Sequence, residues 1–221
     1  MQPAGPSGYG SPVFALESTI LLPAAEFRSQ LVEGLAGPGY VVFPELLRPE
    51  IAAEIRAEME RLRDAGAFRP AGVGRGESNR LAPATRGDGT CWFEPAALTA
   101  AQSKLGAVLE AAREGMNAEL FLGLWDSEGH YAIYPPGTFY RRHLDRFAND
   151  SRRTVSTVFF FNPEWTSADG GDLRMETSGG PRDVAPVSGT AVFFLSDRIP
   201  HEVLETRRER FSFAGWFRTR E

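Results

Sequence analysis

Apolar residues recur in two rhythms along this chain, a helical one in the first half and a strand-like one in the second. Residues Pro23 to Leu35 and Pro49 to Ala65 read as helices, the second placing Ile51, Ile55, Met59 and Leu62 on one face. Tyr40-Val41-Val42-Phe43 between them reads as a strand. Glu94 to Arg113 gives a third amphipathic helix, with Leu98, Leu105 and Leu109 as apolar positions. From Leu120 onward the runs are short and β-rich: Leu120 to Trp125, His130 to Tyr134, Val155 to Phe161, Asp172 to Glu176, Thr190 to Leu195 and Arg210 to Phe217. Helices followed by many short strands predict a mainly β domain, an antiparallel sandwich or jelly roll flanked by N-terminal helices.

The remaining segments read as loops. Residues 1–20 are rich in Gly, Pro and Ser without periodicity and are expected to be a tail, leaving 21–221 as one domain. Between residues 66 and 90 there are six glycines, several arginines and prolines, a loop long enough to cover a site. The Gly-Val-Gly-Arg-Gly run at 72–76 lacks the flanks of a nucleotide fingerprint and reads as part of a flexible lid.

Composition narrows the function classes. With 221 residues, 42% hydrophobic and 24% charged, the chain is an ordinary globular sequence long enough to bury a substantial core. Its net charge of -5 gives no basic field for nucleic acid or anionic lipid. No stretch approaches the roughly 18 apolar residues of a membrane span, and the N-terminus has no secretory pattern, so a cytoplasmic location is expected. Cys91 is the only cysteine, which rules out an internal disulfide and a thiolate zinc cluster. Without a secretory signal, the sequon Asn149-Asp150-Ser151 reads as a polar loop. Nothing in the pattern fixes an oligomeric state.

Only three histidines occur, at 130, 143 and 201. In an extended segment residues i and i+2 share a face, so His143 and Asp145 can reach one metal together. His201 follows the strand ending at Leu195 and a short turn, which sets it at a strand mouth. Two imidazoles and one carboxylate on one face form the facial triad of non-haem iron(II) oxygenases. A His-x-Asp triplet also arises by chance, so the triad alone does not decide. Arg210 opens the run Arg-Phe-Ser-Phe-Ala-Gly-Trp-Phe; on a strand it shares a face with Ser212, Ala214 and Trp216, while Phe211, Phe213 and Phe217 face away. Inside a barrel it requires an anion, and a dicarboxylate suits its planar fork. With Arg207 and Arg208 close by, a surface position remains the alternative.

The segments YPPGTFYRRHLDRF, STVFFFNPEW, GGDLRM, AVFFLSDRIPHEV and RFSFAGWFR, in this order and spacing from about Arg86 to Arg218, resemble the prolyl-hydroxylase branch of the 2-oxoglutarate oxygenases. The resemblance implies a double-stranded β-helix (jelly roll) core over about 118–218. It implies Fe(II) held by His143, Asp145 and His201, 2-oxoglutarate bound by Arg210 with Tyr134, Trp216 and Ser212 in its pocket, O2 as oxidant, and ascorbate as a further cofactor. It places Arg86, Asp88, Trp92 and Arg153 near the substrate, although Tyr134, Trp92 and Trp216 also suit plain core aromatics. Phe160 stands where the family often has a tyrosine whose hydroxyl contacts the 2-oxoglutarate carboxylate, so that hydrogen bond is absent here. The expected reaction is hydroxylation of an unactivated carbon with release of succinate and CO2, on a prolyl residue of a protein or peptide. The alternatives are a free amino acid or small metabolite as substrate, and a non-catalytic jelly-roll binding module. A halogenase is disfavoured because Asp145 is present, and a zinc hydrolase because no His-Glu-x-x-His helix occurs.

Overall fold

The computed structural model describes residues 16–73, 80–82, 84–146 and 152–220. Most of the expected tail, part of the 72–76 run and the Asn149-Asp150-Ser151 sequon lie outside the described residues. The tail does not extend to residue 20. Leu16–Ser18 forms a 3-10 turn, Thr19 and Ile20 are buried, and Ile20 bridges Leu47.

Among the described residues three helices, α1 (Ala24–Ala36), α2 (Pro49–Asp64) and α3 (Ala100–Leu120), each bury one apolar stripe: Phe27, Leu31 and Leu35 on α1, Ile51, Ile55 and Met59 on α2, and Leu105, Leu109 and Met116 among those on α3. The third helix starts later and runs longer than its periodicity predicts. Thr99 caps it in a capping box with Gln102, separating it from a 3-10 turn at Pro95–Ala97. Gly115, inside α3, is where Arg28 of α1 lies across that helix; a Cβ there would sit 2.9 Å from Arg28 Cγ.

The strands are β1 (Tyr40–Phe43), β2 (Arg69–Pro70), β3 (Gly72–Val73), β4 (Arg80–Leu81), β5 (Gly89–Trp92), β6 (Leu124–Tyr134), β7 (Tyr140–His143), β8 (Arg153–Phe160), β9 (Leu173–Thr177), β10 (Gly180–Val184), β11 (Ala191–Leu195), β12 (His201–Val203) and β13 (Arg210–Thr219). A seven-stranded sheet has the order β1-β11-β8-β13-β6-β5-β2, a four-stranded sheet the order β10-β9-β12-β7, and β3 and β4 form a small ladder. The assigned pairings are antiparallel. Strands β6, β8, β11 and β13 lie in the larger sheet and β7, β9, β10 and β12 in the smaller, the division of a double-stranded β-helix, and the helices cover the outer face of the larger sheet. Among the described residues no helix is long and apolar enough to cross a membrane.

Two strands expected before residue 135 are one. The polar stretch Asp126 to Gly129 stays in β6 because it pairs along β13, where Arg218 donates to Asp126 at 2.7 and 2.8 Å and to Glu128 at 2.8 Å. Leu120 belongs to α3. The pleat divides β13 as expected. Phe211, Phe213 and Phe217 join the helices in the main core, whereas Arg210, Ser212, Ala214 and Trp216 face a cavity of about 670 Å³ between the sheets. Phe160, Leu173, Met175, Val192, Phe194 and Ile199 close one flank of that gap.

Candidate metal and cosubstrate site

The four-stranded sheet supplies the metal-ligating groups. His143 ends β7, His201 opens β12, and the two are direct cross-strand partners. Asp145 lies two residues past the end of β7, off the strand, where the chain bends inward. Its oxygens are 3.5 Å from both His143 Nε2 and His201 Nε2, and the three ligand atoms lie within 4.8 Å of one another. Both rings have a defined orientation. His143 Nδ1 is 2.8 Å from the Arg141 carbonyl and His201 Nδ1 3.1 Å from the Ile199 carbonyl. A carbonyl only accepts, so each Nδ1 carries the proton and each Nε2 keeps a lone pair facing Asp145.

The electrostatics suit a cation. Burial lowers the His201 pKa to about 4, so the ring is neutral and free to ligate at pH 7. Burial works against ionisation of Asp145 too, but the positive charge that His201 and His143 carry once protonated, with the hydrogen bond from Ser156, outweighs it and holds the carboxyl well below its ordinary range. Ser156 Oγ donates to Asp145 at 2.7 Å across the sheet gap and lies 2.8 Å from Ser196 Oγ. Tyr140 stacks on His143 at 3.8 Å, and Phe194 meets His201 edge-on at 4.7 Å. Sequence reasoning missed these supports. The one available signal was Ser156, a small polar residue at an inward position of a strand made mostly of β-branched and aromatic residues.

The larger sheet supplies the anion anchor. Arg210 is 1% exposed, so its place is interior. Its Nε donates to the Gly171 carbonyl at 2.8 Å and an Nη to Ser212 Oγ at 3.1 Å, while the rings of Tyr134 and Phe160 each lie 5.0 Å from its guanidinium carbon. It forms no ion pair among the described residues, and burial lowers its pKa to about 10. A buried guanidinium without a carboxylate calls for an anionic ligand. The Tyr134 hydroxyl has no hydrogen-bond partner among the described residues, and Phe160 offers no hydroxyl at all. The donor set therefore fits iron(II) at His143, Asp145 and His201, and a dicarboxylate on Arg210.

The residues expected near substrate are placed differently from one another. Arg86 and Arg153 line the cavity together with Trp92, which is 49% exposed at its rim. Asp88 is buried behind Arg86, which donates to it at 2.7 and 2.5 Å; its role runs through Arg86 rather than through contact. Arg86 also lies over Tyr140 at 4.3 Å. Arg153 donates to Glu128 at 2.8 and 3.0 Å and covers the Trp216 ring at 3.6 Å. Trp216 stands with Trp92 and Arg153, six residues along β13 from Arg210.

Comparison with known proteins agrees with this geometry. A family model described as the 2OG-Fe(II) oxygenase superfamily matches residues 129–218. The chain is 43% identical over 96 residues to a hypoxia-inducible factor prolyl hydroxylase of Caenorhabditis elegans, a match covering 41% of this chain and 13% of that protein's length. The crystal structure of a Pseudomonas putida prolyl-4-hydroxylase is similar at 42% identity and a TM-score of 0.79, over 88% of this chain and 100% of that one. A Trichoplax adhaerens prolyl hydroxylase solved with a hypoxia-inducible factor peptide fragment shares the fold at 22% identity and a TM-score of 0.78, over 88% and 90% of the two chains. The chain thus belongs to the 2-oxoglutarate- and Fe(II)-dependent oxygenases, in the group that contains the prolyl 4-hydroxylases.

Proposed function

We propose that this protein hydroxylates a prolyl residue of a protein or peptide, consuming 2-oxoglutarate and O2 and releasing succinate and CO2. The observation that carries the reading is the pairing, across one cavity, of a His-Asp-His cluster with a buried arginine that lacks a counter-ion. The peptide half rests on the 42% identity to a bacterial prolyl-4-hydroxylase and on a cavity mouth wide enough to leave Trp92 half exposed at its edge.

In this reading His143, Asp145 and His201 hold iron, which with 2-oxoglutarate supplies the oxidising power for attack on an unactivated C–H bond. The chain contributes positioning. The Arg141 and Ile199 carbonyls and Ser156 fix the ligand orientations, and Arg210 fixes one end of the cosubstrate.

The test is succinate formation by anaerobically iron-loaded protein given 2-oxoglutarate, O2 and ascorbate, with and without a panel of proline-containing peptides and free amino acids. Peptide-stimulated succinate with a matching gain of one oxygen in the peptide is expected. Stimulation by a free amino acid alone would move the substrate to that class, and absence of both iron binding and 2-oxoglutarate consumption would favour a non-catalytic module.

A further inference from the structure

The cavity has two chemically distinct ends, set by the register of one strand pair. Arg210 lies opposite Tyr134, and Ala214 opposite His130. Four residues separate the two positions, about 13 Å at a strand rise of about 3.3 Å per residue. A five-carbon dicarboxylate held by Arg210, with its other end at the metal cluster, does not extend to His130. The His130 end, bounded by Trp92, Trp216 and Arg153, is therefore left for the substrate.

His130 combines burial with an unused polar atom. It lines the cavity while being only 3% exposed, with the Trp92 ring 4.7 Å and the Trp216 ring 5.5 Å away. Its Nδ1 lies 3.2 Å from the Tyr131 carbonyl. That oxygen only accepts, so Nδ1 carries the hydrogen and Nε2 is a bare acceptor. No donor reaches Nε2 among the described residues. Burial, reinforced by the nearby Arg86, lowers its pKa to about 4, so the ring stays neutral at pH 7. The two neighbouring guanidiniums are engaged, Arg86 by Asp88 and Arg153 by Glu128. An acceptor that faces the cavity without a protein donor, set among aromatic walls, selects a ligand that brings an N–H or O–H to it.

We propose that His130 is a specificity determinant whose Nε2 accepts a hydrogen bond from a backbone N–H of the peptide substrate beside the target proline. Proline within a chain has no N–H, so the donor belongs to a flanking residue. The assignment rests on the peptidyl-proline reading above. His130 takes no part in holding the metal; it sets the register of the peptide against the aromatic end.

The experiment takes a proline-containing peptide that stimulates succinate formation and replaces its flanking backbone amides one at a time by N-methyl amides. For wild type, methylation at one flanking position should raise KM about tenfold, the size expected for one hydrogen bond whose buried partner is left unpaired. In His130→Leu that penalty should shrink to within about twofold. His130→Gln, which restores an acceptor oxygen, should recover part of it. A merely structural role would affect methylated and unmethylated peptides alike, and His130→Gln keeps the test valid should His130→Leu fold poorly. Turnover of peptides with no His130-dependent discrimination at any amide would overturn this assignment alone. If no peptide is turned over, the peptidyl-proline reading falls and the assignment with it.

Discussion

Replacing Arg210 by methionine separates its cost to the fold from its service to the ligand. Burial lowers its pKa from 12.5 to about 10, equivalent to about 3 kcal/mol of destabilisation at neutral pH in the ligand-free protein. The sign is fixed: a cation whose folded pKa is depressed weakens the fold at every pH below that range. Arg210→Met removes this cost and loses the hydrogen bonds to Gly171 and Ser212, each contributing about 1 kcal/mol. The net change favours the variant by about 1 kcal/mol, a rise of about 2 to 4 °C in Tm for a chain of this size. Binding should change the other way. Leaving a buried carboxylate without its cation costs about 3–5 kcal/mol, so affinity for 2-oxoglutarate should fall more than about a hundredfold. Differential scanning fluorimetry and calorimetric titration, run anaerobically with Mn(II) in place of Fe(II), read both quantities. A ligand-free Tm more than about 6 °C below wild type together with unchanged 2-oxoglutarate affinity would refute the reasoning, because Arg210 would then be a structural residue.

Ser156→Ala should weaken metal affinity by about 10- to 100-fold, measured by Mn(II) titration, because it removes the hydroxyl that orients Asp145. Phe160→Tyr should lower KM for 2-oxoglutarate by up to about tenfold through one added hydrogen bond; an unchanged or higher KM would show that the ring does not face the cosubstrate. Arg86→Ala, leaving the buried Asp88 charge uncompensated, should cost about 3–5 kcal/mol in urea unfolding, and adding Asp88→Asn should recover most of it. Unfolded His130 gains a proton near pH 6.5, whereas the folded residue resists until about 4. Its stabilisation is therefore complete above pH 6.5 and fades as pH falls to 4, so wild type should lose about 3 kcal/mol more than His130→Gln over that range in pH-dependent urea titrations.

How far the sequence could be read depended on which sheet a strand belongs to. The larger sheet is buried against helices on one face and the cavity on the other, so its strands carry aromatic and β-branched runs such as Val155-Ser156-Thr157-Val158-Phe159, which announce themselves. Three of the four strands of the smaller sheet escaped the reading. β7 is Tyr-Arg-Arg-His, β10 contains Gly180 and Pro181, and β12 has three residues. Such short strands give no alternation to detect, yet two of them carry the metal-ligating histidines. The triad was visible because histidine is scarce here and because i and i+2 share a face, a rule that held even though Asp145 falls just beyond its strand. What periodicity could not supply was the support around it, since Tyr140 on His143 and Ser156 on Asp145 are contacts across strands and sheets.

The pairing of β6 with β13 runs without a register shift from Arg210 opposite Tyr134 to Arg218 opposite Asp126, and the irregularity comes only at Thr219. This ladder acts as a ruler that sets the distance between the cosubstrate anchor and the substrate end of the cavity. One residue inserted between positions 210 and 216 would change that distance by about 3.3 Å, whereas a misplacement of about 1 Å is enough to cost a hundredfold in rate. Insertions and deletions should therefore be tolerated in the loops and at the far end of β13 long before they are tolerated inside this stretch, although it contains none of the metal ligands.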